Sequence, residues 1–450
     1  MITARENKLF FKGLALSGAM FAFGQVLAAE GPVEAVTPEA VTNSELPLPI
    51  DEVRIFAQVL NQIRNAYVEP IDDKTLLENA IKGMLAGIDP HSTYLANDDY
   101  DQLQESTTGE FGGLGVEVGI ENGFIKIIAP MDDSPADRAG IQAGDLIIKL
   151  NDTPANDVTL GDTSEMLRGE PGTSITLTIL REGVEPFEVT VIREIIRASS
   201  IRYRDLEPGY GYIRIAQFAA NTGKEVEDAL NRLHERNEAM KGIVLDLRNN
   251  PGGVLQSAVG VVDAFITEGL IVYTEGRVAN SDMRFEATPE DPSRGVPLVV
   301  LINGGSASAS EIVAGALQDH QRGIIMGTQS FGKGSVQTVL PLTNDRAIKL
   351  TTSLYFTPSG RSIQARGITP DIAIDRGQVT RIPDSIAAYR EADLVGHLET
   401  EAAQPSEYVP VPANANPEPA EILVNDYQLN EALNVLKGLN ILQSQLRKQG

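Results

Sequence analysis

Three serines and one lysine are the residues of this chain best placed to do chemistry. The serines lie in Asn303-Gly304-Gly305-Ser306-Ala307-Ser308-Ala309-Ser310-Glu311, and the lysine in Phe331-Gly332-Lys333-Gly334-Ser335-Val336-Gln337. A hydroxyl at a strand-to-helix turn can serve as a nucleophile. An amine on a tight glycine loop can be its general base, provided burial strips its hydration and leaves it neutral. Serine–lysine pairs are a variant of the serine–histidine–aspartate arrangement. If the two groups meet in space, the chemistry is acyl transfer and the chain is a peptidase.

Ser308 follows an apolar run and a Gly-Gly turn, at the start of a helical pattern. Its oxygen would stand beside free backbone amides and the positive end of a helix dipole, both of which favour an oxyanion. Spacing alone leaves Ser306 and Ser310 as rivals. Ser308-Ala309-Ser310-Glu311 also reads as a capping box, in which the serine merely starts the helix. Lys333 has the alternative of an ordinary solvated lysine, against which its flanking glycines speak. Gln337 offers an amide able to orient the amine, or is an ordinary strand residue.

Competing chemistries fit less well. Gly327-Thr328-Gln329-Ser330-Phe331-Gly332-Lys333 matches the start of a phosphate-binding loop, but Gly334 stands where a Ser or Thr should reach magnesium. The histidines are His91, His234, His320 and His397. None lies in an H-E-x-x-H motif, and Ser308 is not in a G-x-S-x-G elbow. His320 ends the helix that Ser308 begins, about three turns away. His91, in Asp89-Pro90-His91-Ser92, reads as a turn residue.

The elements that must position these groups emerge from composition and periodicity. The 450 residues suffice for two or three domains, and 42% hydrophobic with 22% charged residues is a soluble globular balance. A net charge of −25 excludes a nucleic-acid binder, because phosphate would be repelled. There is no cysteine, hence no thiol catalysis, disulfide or lipidated N-terminal cysteine. Residues 1–29 read as a cleavable signal peptide, with Arg5, Lys8 and Lys12 before an apolar run and Val26-Leu27-Ala28 as cleavage site. That places the mature chain in the periplasm.

Residues 30–50 read as a linker and 51–105 as an N-terminal helical region, with Val53, Phe56, Val59, Leu60 and Ile63, then Leu76, Leu77, Ile81 and Leu85, at helical spacing. Residues 106–197 shift to short strands punctuated by glycine. From 198 to 376 strands and helices alternate, and Ile243–Leu247 and Leu298–Ile302 are apolar enough for strands covered on both faces. Residues 377–420 are an extended region with a Pro-rich linker. In 421–450, Ile422, Leu429, Leu433, Leu436, Leu439 and Leu442 sketch an amphipathic helix. The fold class is a mixed, multidomain α/β protein.

Two resemblances carry these segments further. Ser134-Pro135-Ala136, Ala139-Gly140-Ile141 and Gly144-Asp145-Leu146-Ile147-Ile148 resemble a PDZ domain, which implies a carboxylate-binding loop at Gly113, Leu114, Gly115 and Val116. Leu247-Arg248-Asn249-Asn250-Pro251-Gly252-Gly253, Gly305 to Ile312, Gly327 to Gln337, Thr357-Pro358-Ser359-Gly360-Arg361 and Gly367-Ile368-Thr369-Pro370-Asp371 resemble the C-terminal processing peptidases, or tail-specific proteases. The likeness runs from about residue 50 to 375.

The resemblance implies Ser308 as nucleophile, Lys333 as general base and Gln337 as the residue that positions the lysine. It maps the oxyanion hole to the backbone amides of Gly253 and Ala309. It also implies a PDZ domain that binds free C-terminal tails and gates the site, with Arg168 as the regulatory arginine of an Arg-Gly segment. No metal or cofactor is required. The expected partners are protein substrates bound by their tails. By the family's habits, a lipoprotein adaptor and cell-wall hydrolase substrates join them, and the apolar stripes of the terminal helices suggest a homo-oligomer. The reading from another class is a PDZ-based scaffold whose core has lost activity.

Overall fold

Runs of aliphatic residues buried on both faces dictate the central sheet. The computed structural model describes residues 48–377, except 97, 122–123, 132, 156–157, 279–280 and 344–345, together with 395 and 426–449. The signal-peptide reading, nearly all of the first linker and the Pro-rich linker lie outside the described residues.

The central sheet has six strands, in the order Ile201–Glu207, Tyr210–Ile215, Gly242–Asp246, Leu298–Ile302, Ile324–Gly327 and Ile372–Ala373. The first pair is antiparallel and the rest are parallel. Helices Thr222–Arg236, Leu255–Asp263 and Ala309–Asp319 supply Val226, Leu230, Val261, Val262, Val313 and Leu317 to the core cluster that also holds Ile243, Leu245 and Val300. On a second cluster, the C-terminal helix Tyr427–Gln449 contributes Leu429, Ala432, Leu433 and Leu436 against Tyr212, Val244, Val299 and Leu301. Cover on both faces thus explains why the inner parallel strands Gly242–Asp246 and Leu298–Ile302 carry no polar alternation.

A second, antiparallel sheet lies beside the first in sequence and brings distant segments together. Its strand Arg346–Phe356 pairs with Ser335–Leu342, with Leu270–Gly276 and with Thr93–Ala96. The expected N-terminal helical region therefore yields helices Ile50–Ala66, Asp73–Ala86 and Asp98–Thr108, but also a strand that belongs to the core. Helix Ile50–Ala66 buries none of its residues.

The PDZ module is a sheet in the order Val116–Glu121, Phe124–Pro130, Leu146–Leu150, Ser174–Leu180, Phe187–Ile192, around Ile127, Ile147, Leu150, Leu177 and Ile179. Its signature residues have structural reasons. Ser134 caps the short helix Pro135–Arg138, with Pro135 at the first helical position, where no N–H is needed. Asp145 is buried and takes two hydrogen bonds from Arg181, at 2.7 and 2.8 Å. The module joins the core through the strand pair Glu110–Gly113 and Glu194–Arg197. Among the described residues, no helix is long and apolar enough to cross a membrane.

Candidate active site

The buried strand Leu298–Ile302 delivers the chain to the Asn303-Gly304-Gly305 turn, and helix Ala309–Asp319 leaves from it. The three serines of this turn separate at once. Ser306 is buried and its hydroxyl donates to the Leu247 carbonyl at 2.8 Å; Ser310 is buried and donates to the Asn250 carbonyl at 3.0 Å. Ser308 is only partly buried and sits at φ 55°, ψ −114°, a left-handed conformation that side chains rarely adopt. Glu311 reaches back to the Ser308 N–H at 2.8 Å, so capping and a role in the site are not alternatives here.

A second turn, Asn249 to Gly253, is locked against the first. Asn249 N–H donates to Asn303 Oδ1 and Asn303 Nδ2 donates to Asn249 Oδ1, each at 2.9 Å. The buried Asn250 donates to the Ile215 carbonyl and accepts from Gly252 N–H, both at 2.9 Å. Gly252 has φ 103° and Gly253 φ 140°, so only glycine fits without strain. Gly253 forms a bridge with Phe218 through the bonds of its neighbours, Phe218 N–H to Gly252 and Val254 N–H to Phe218. Its own N–H has no acceptor among the described residues, and neither has that of Ala309, so both are open to an anion beside Ser308.

Lys333 comes from the glycine loop between Ile324–Gly327 and Ser335–Leu342. Burial pushes its amine below the ordinary lysine value, and the nearby Lys349 pushes the same way, against Asp89 and Glu311. Its amine makes no hydrogen bond to a described residue, and none joins it to Ser308 Oγ. The Tyr355 hydroxyl donates to the Lys333 carbonyl and faces the Ser308 side chain; burial raises it well above its usual value. The amides of Gly332 and Lys333 donate to Glu311 at 2.7 and 2.9 Å, so a protein carboxylate stands where a phosphate-binding loop would hold its ligand.

No hydrogen bond joins Gln337 to the lysine amine. Its Nε2 donates to Ser335 Oγ at 3.0 Å and Thr351 Oγ1 at 3.3 Å, within its own hairpin. Motif reading took Asp89 to Ser92 as a turn but gave it no place beside the site. Its Ser92 hydroxyl accepts from Thr351 N–H at 3.1 Å, which docks the turn on the hairpin that carries Gln337. His91 is held below its usual value by burial and by Lys333. The Asp-Pro-His-Ser string is visible in the sequence, but nothing local says which strand it meets.

The tail-binding candidate also has a defined setting. Val116–Glu121 is an edge strand of the PDZ sheet, free to accept an added strand, and it follows Gly113, Leu114 and Gly115 directly. Leu114 is buried and its carbonyl accepts from Ala136 N–H at 3.0 Å. Gly169 N–H donates to the Gly112 carbonyl at 3.1 Å, so the Arg168-Gly169 segment rests on this loop. Arg168 itself pairs with Glu105 of helix Asp98–Thr108 and stacks 4.7 Å above Phe111.

This combination, an α/β core with a serine at a strand-to-helix turn and an inserted PDZ module, is that of a serine-type peptidase. A model of peptidase family S41 matches residues 209–374, a PDZ domain matches 126–181, and the activating protease CtpB N-terminal domain matches 14–99. The chain is 44% identical over 406 residues to a carboxy-terminal-processing protease of Bartonella bacilliformis, covering 90% of this chain and 92% of that one. It is 39% identical over 323 residues to a carboxyl-terminal-processing protease of Synechocystis, covering 70% and 75%. A solved photosystem II D1 C-terminal processing protease is 29% identical, covering 72% of this chain and 93% of that one, with a TM-score of 0.42. The chain belongs to the carboxy-terminal processing proteases.

Proposed function

We propose that this protease cleaves protein substrates near their C-termini through Ser308 as nucleophile and Lys333 as general base. The observation that carries this reading is the partition of the three serines. Two hydroxyls are committed to main-chain carbonyls, and the third lies beside two unclaimed amides, Gly253 and Ala309, that would hold the oxyanion. Lys333 would take the Ser308 proton as Oγ attacks the carbonyl, return it to the leaving amine, and then activate water to release the acyl group. Gln337 would orient the lysine after a rearrangement that brings its amide off Ser335 and Thr351.

That no hydrogen bond joins Ser308 Oγ to the Lys333 amine supports a resting state that is gated. A substrate tail would add to the edge strand Val116–Glu121 with its carboxylate at Gly113 to Val116, and Arg168 would relay the event. Export to the periplasm, assembly into a homo-oligomer, a lipoprotein adaptor and turnover of envelope proteins such as cell-wall hydrolases belong to the same proposal. They rest on the sequence pattern and the resemblance. The test is cleavage of β-casein by the mature chain, with and without a peptide carrying a free apolar C-terminus. Stimulated cleavage that Ser308→Ala removes is expected; equal cleavage by Ser308→Ala would sink the proposal.

A further inference from the structure

Glu311 is completely buried, and among the described residues no cation forms an ion pair with it. Its two oxygens instead accept four hydrogen bonds. Oε1 takes the Ser330 hydroxyl at 2.6 Å and Gly332 N–H at 2.7 Å. Oε2 takes Ser308 N–H at 2.8 Å and Lys333 N–H at 2.9 Å. One oxygen atom thus holds the peptide planes of both Ser308 and Lys333, which come from different elements of the fold. The Ser330 hydroxyl in turn accepts Ile368 N–H at 2.6 Å, so the hub is itself held.

Three of the four donors are main-chain N–H groups that cannot accept a proton in return, so the arrangement suits the carboxylate form of Glu311. Burial pushes the group up, and the Ser330 hydroxyl and the amides of Lys333, Gly332 and Ser308 oppose that by favouring the charged form. A buried anion satisfied only by main-chain amides and one hydroxyl adds little to folding compared with an apolar replacement. It does impose geometry on every group that donates to it.

We infer that Glu311 is the positioning residue of the Ser308–Lys333 pair, fixing the two main-chain segments at the separation from which oxygen and amine can meet. This rests on the dyad reading above. Its charge also acts on the amine. Lys333 is faced by Glu311 from the helix, by Asp89 and His91 from the turn, and by Lys349 and the Tyr355 hydroxyl from the strand Arg346–Phe356. Glu311 and Asp89 favour the protonated amine, so removing the Glu311 charge lets the amine become neutral at lower pH.

The test is kcat and KM for labelled β-casein across pH, with the full mature chain and its variants, each checked for folding by circular dichroism. Glu311→Gln keeps the shape but sets an amide against N–H donors. It should lower kcat about 100-fold, the scale of a small misplacement of reacting groups, with KM little changed. The acid limb of its kcat/KM profile should move to lower pH. Glu311→Asp keeps the charge but shortens the reach, so kcat should fall while the limb stays. A folded Glu311→Gln enzyme with wild-type kcat, or with reduced kcat and an unmoved limb, would overturn the inference. Should Glu311→Gln not fold, wild-type kcat in Glu311→Asp overturns it. Cleavage by Ser308→Ala in the same assay would instead break the dyad reading beneath it.

Discussion

Gly252 lies against Ser308 so closely that a Cβ on the glycine would stand 2.7 Å from the Cβ of the serine and 3.0 Å from the Ala309 nitrogen. Two unusual conformations meet here, Gly252 at φ 103° and Ser308 at φ 55°. The Ser308 conformation costs on the order of 1–3 kcal/mol, whereas glycine adopts its own without strain. Gly252→Ala should therefore be worse for activity than for folding. We expect kcat to fall about 100-fold, because the added methyl displaces the nucleophile and the free amide beside it. Stopped assays on casein beside a thermal melt would check this; wild-type kcat would show that the turn has slack.

The Lys333 amine must be neutral to accept a proton, so kcat/KM should rise with pH through its pKa. Burial and Lys349 place that rise below the ordinary lysine value of 10.5. Lys349→Met removes a like charge, so the amine should keep its proton to higher pH and the acid limb should move up. Lys333→Met should abolish cleavage, by at least about a thousandfold, while leaving stability equal or higher, since it replaces a buried amine by an apolar chain. A downward move of the limb in Lys349→Met would refute the assignment of Lys333 as the titrating base.

What was legible in the chain was local. The Gly-Gly turn, the helix start at Ser308 and the glycine loop around Lys333 are short-range patterns, and the structure puts them where those patterns imply. The near-continuous apolar strands likewise announced a sheet covered on both faces. Non-local pairing was not legible. Thr93–Ala96 joins a strand about 250 residues away, and no periodicity in four residues names its partner. Gln337 shows a subtler limit. Its side chain bonds within its own hairpin beside a register shift between Val336 and Gln337, and an irregularity of this kind leaves no clear mark in sequence. Glu311 was visible only as one half of a capping box; that its carboxylate also gathers the lysine loop depends on the fold.

Arg168 and Glu105 begin a run of contacts that ends at the turn carrying Gly253. Glu105 belongs to helix Asp98–Thr108, whose Ser106 and Thr107 carbonyls accept from Gln217 Nε2 at 2.7 Å and Ala220 N–H at 2.8 Å. Between them lies Phe218, bridged to Gly253. The ion pair is about half exposed, so Arg168→Ala should change stability by no more than about 1 kcal/mol. Its effect should fall on regulation. Casein cleavage that a tail peptide stimulates in the parent should lose that stimulation in Arg168→Ala, and retained stimulation would remove Arg168 from the relay.

The C-terminal helix divides into a half that packs on the core and a half whose apolar residues are exposed among the described residues. Leu429, Ala432, Leu433 and Leu436 are buried, and Gly242 leaves room for Leu436, whose Cδ2 would stand 2.9 Å from an added Cβ. Arg248 clamps the start of the helix through Asp426 at 2.7 and 2.9 Å, while pairing with Asp246 at 2.6 Å. Farther on, Ile441, Leu442 and Leu446 are 60%, 54% and 60% exposed, an apolar stripe that a second copy could cover. Deleting the whole helix would therefore test folding rather than assembly. Leu433→Ala should cost about 2–5 kcal/mol in a denaturant titration. Deleting only residues 441–450 should leave the melting temperature nearly unchanged and lower the mass in light scattering. An unchanged mass would exclude this end of the helix from self-assembly, and a collapsed melting temperature would show that the second half also belongs to the core.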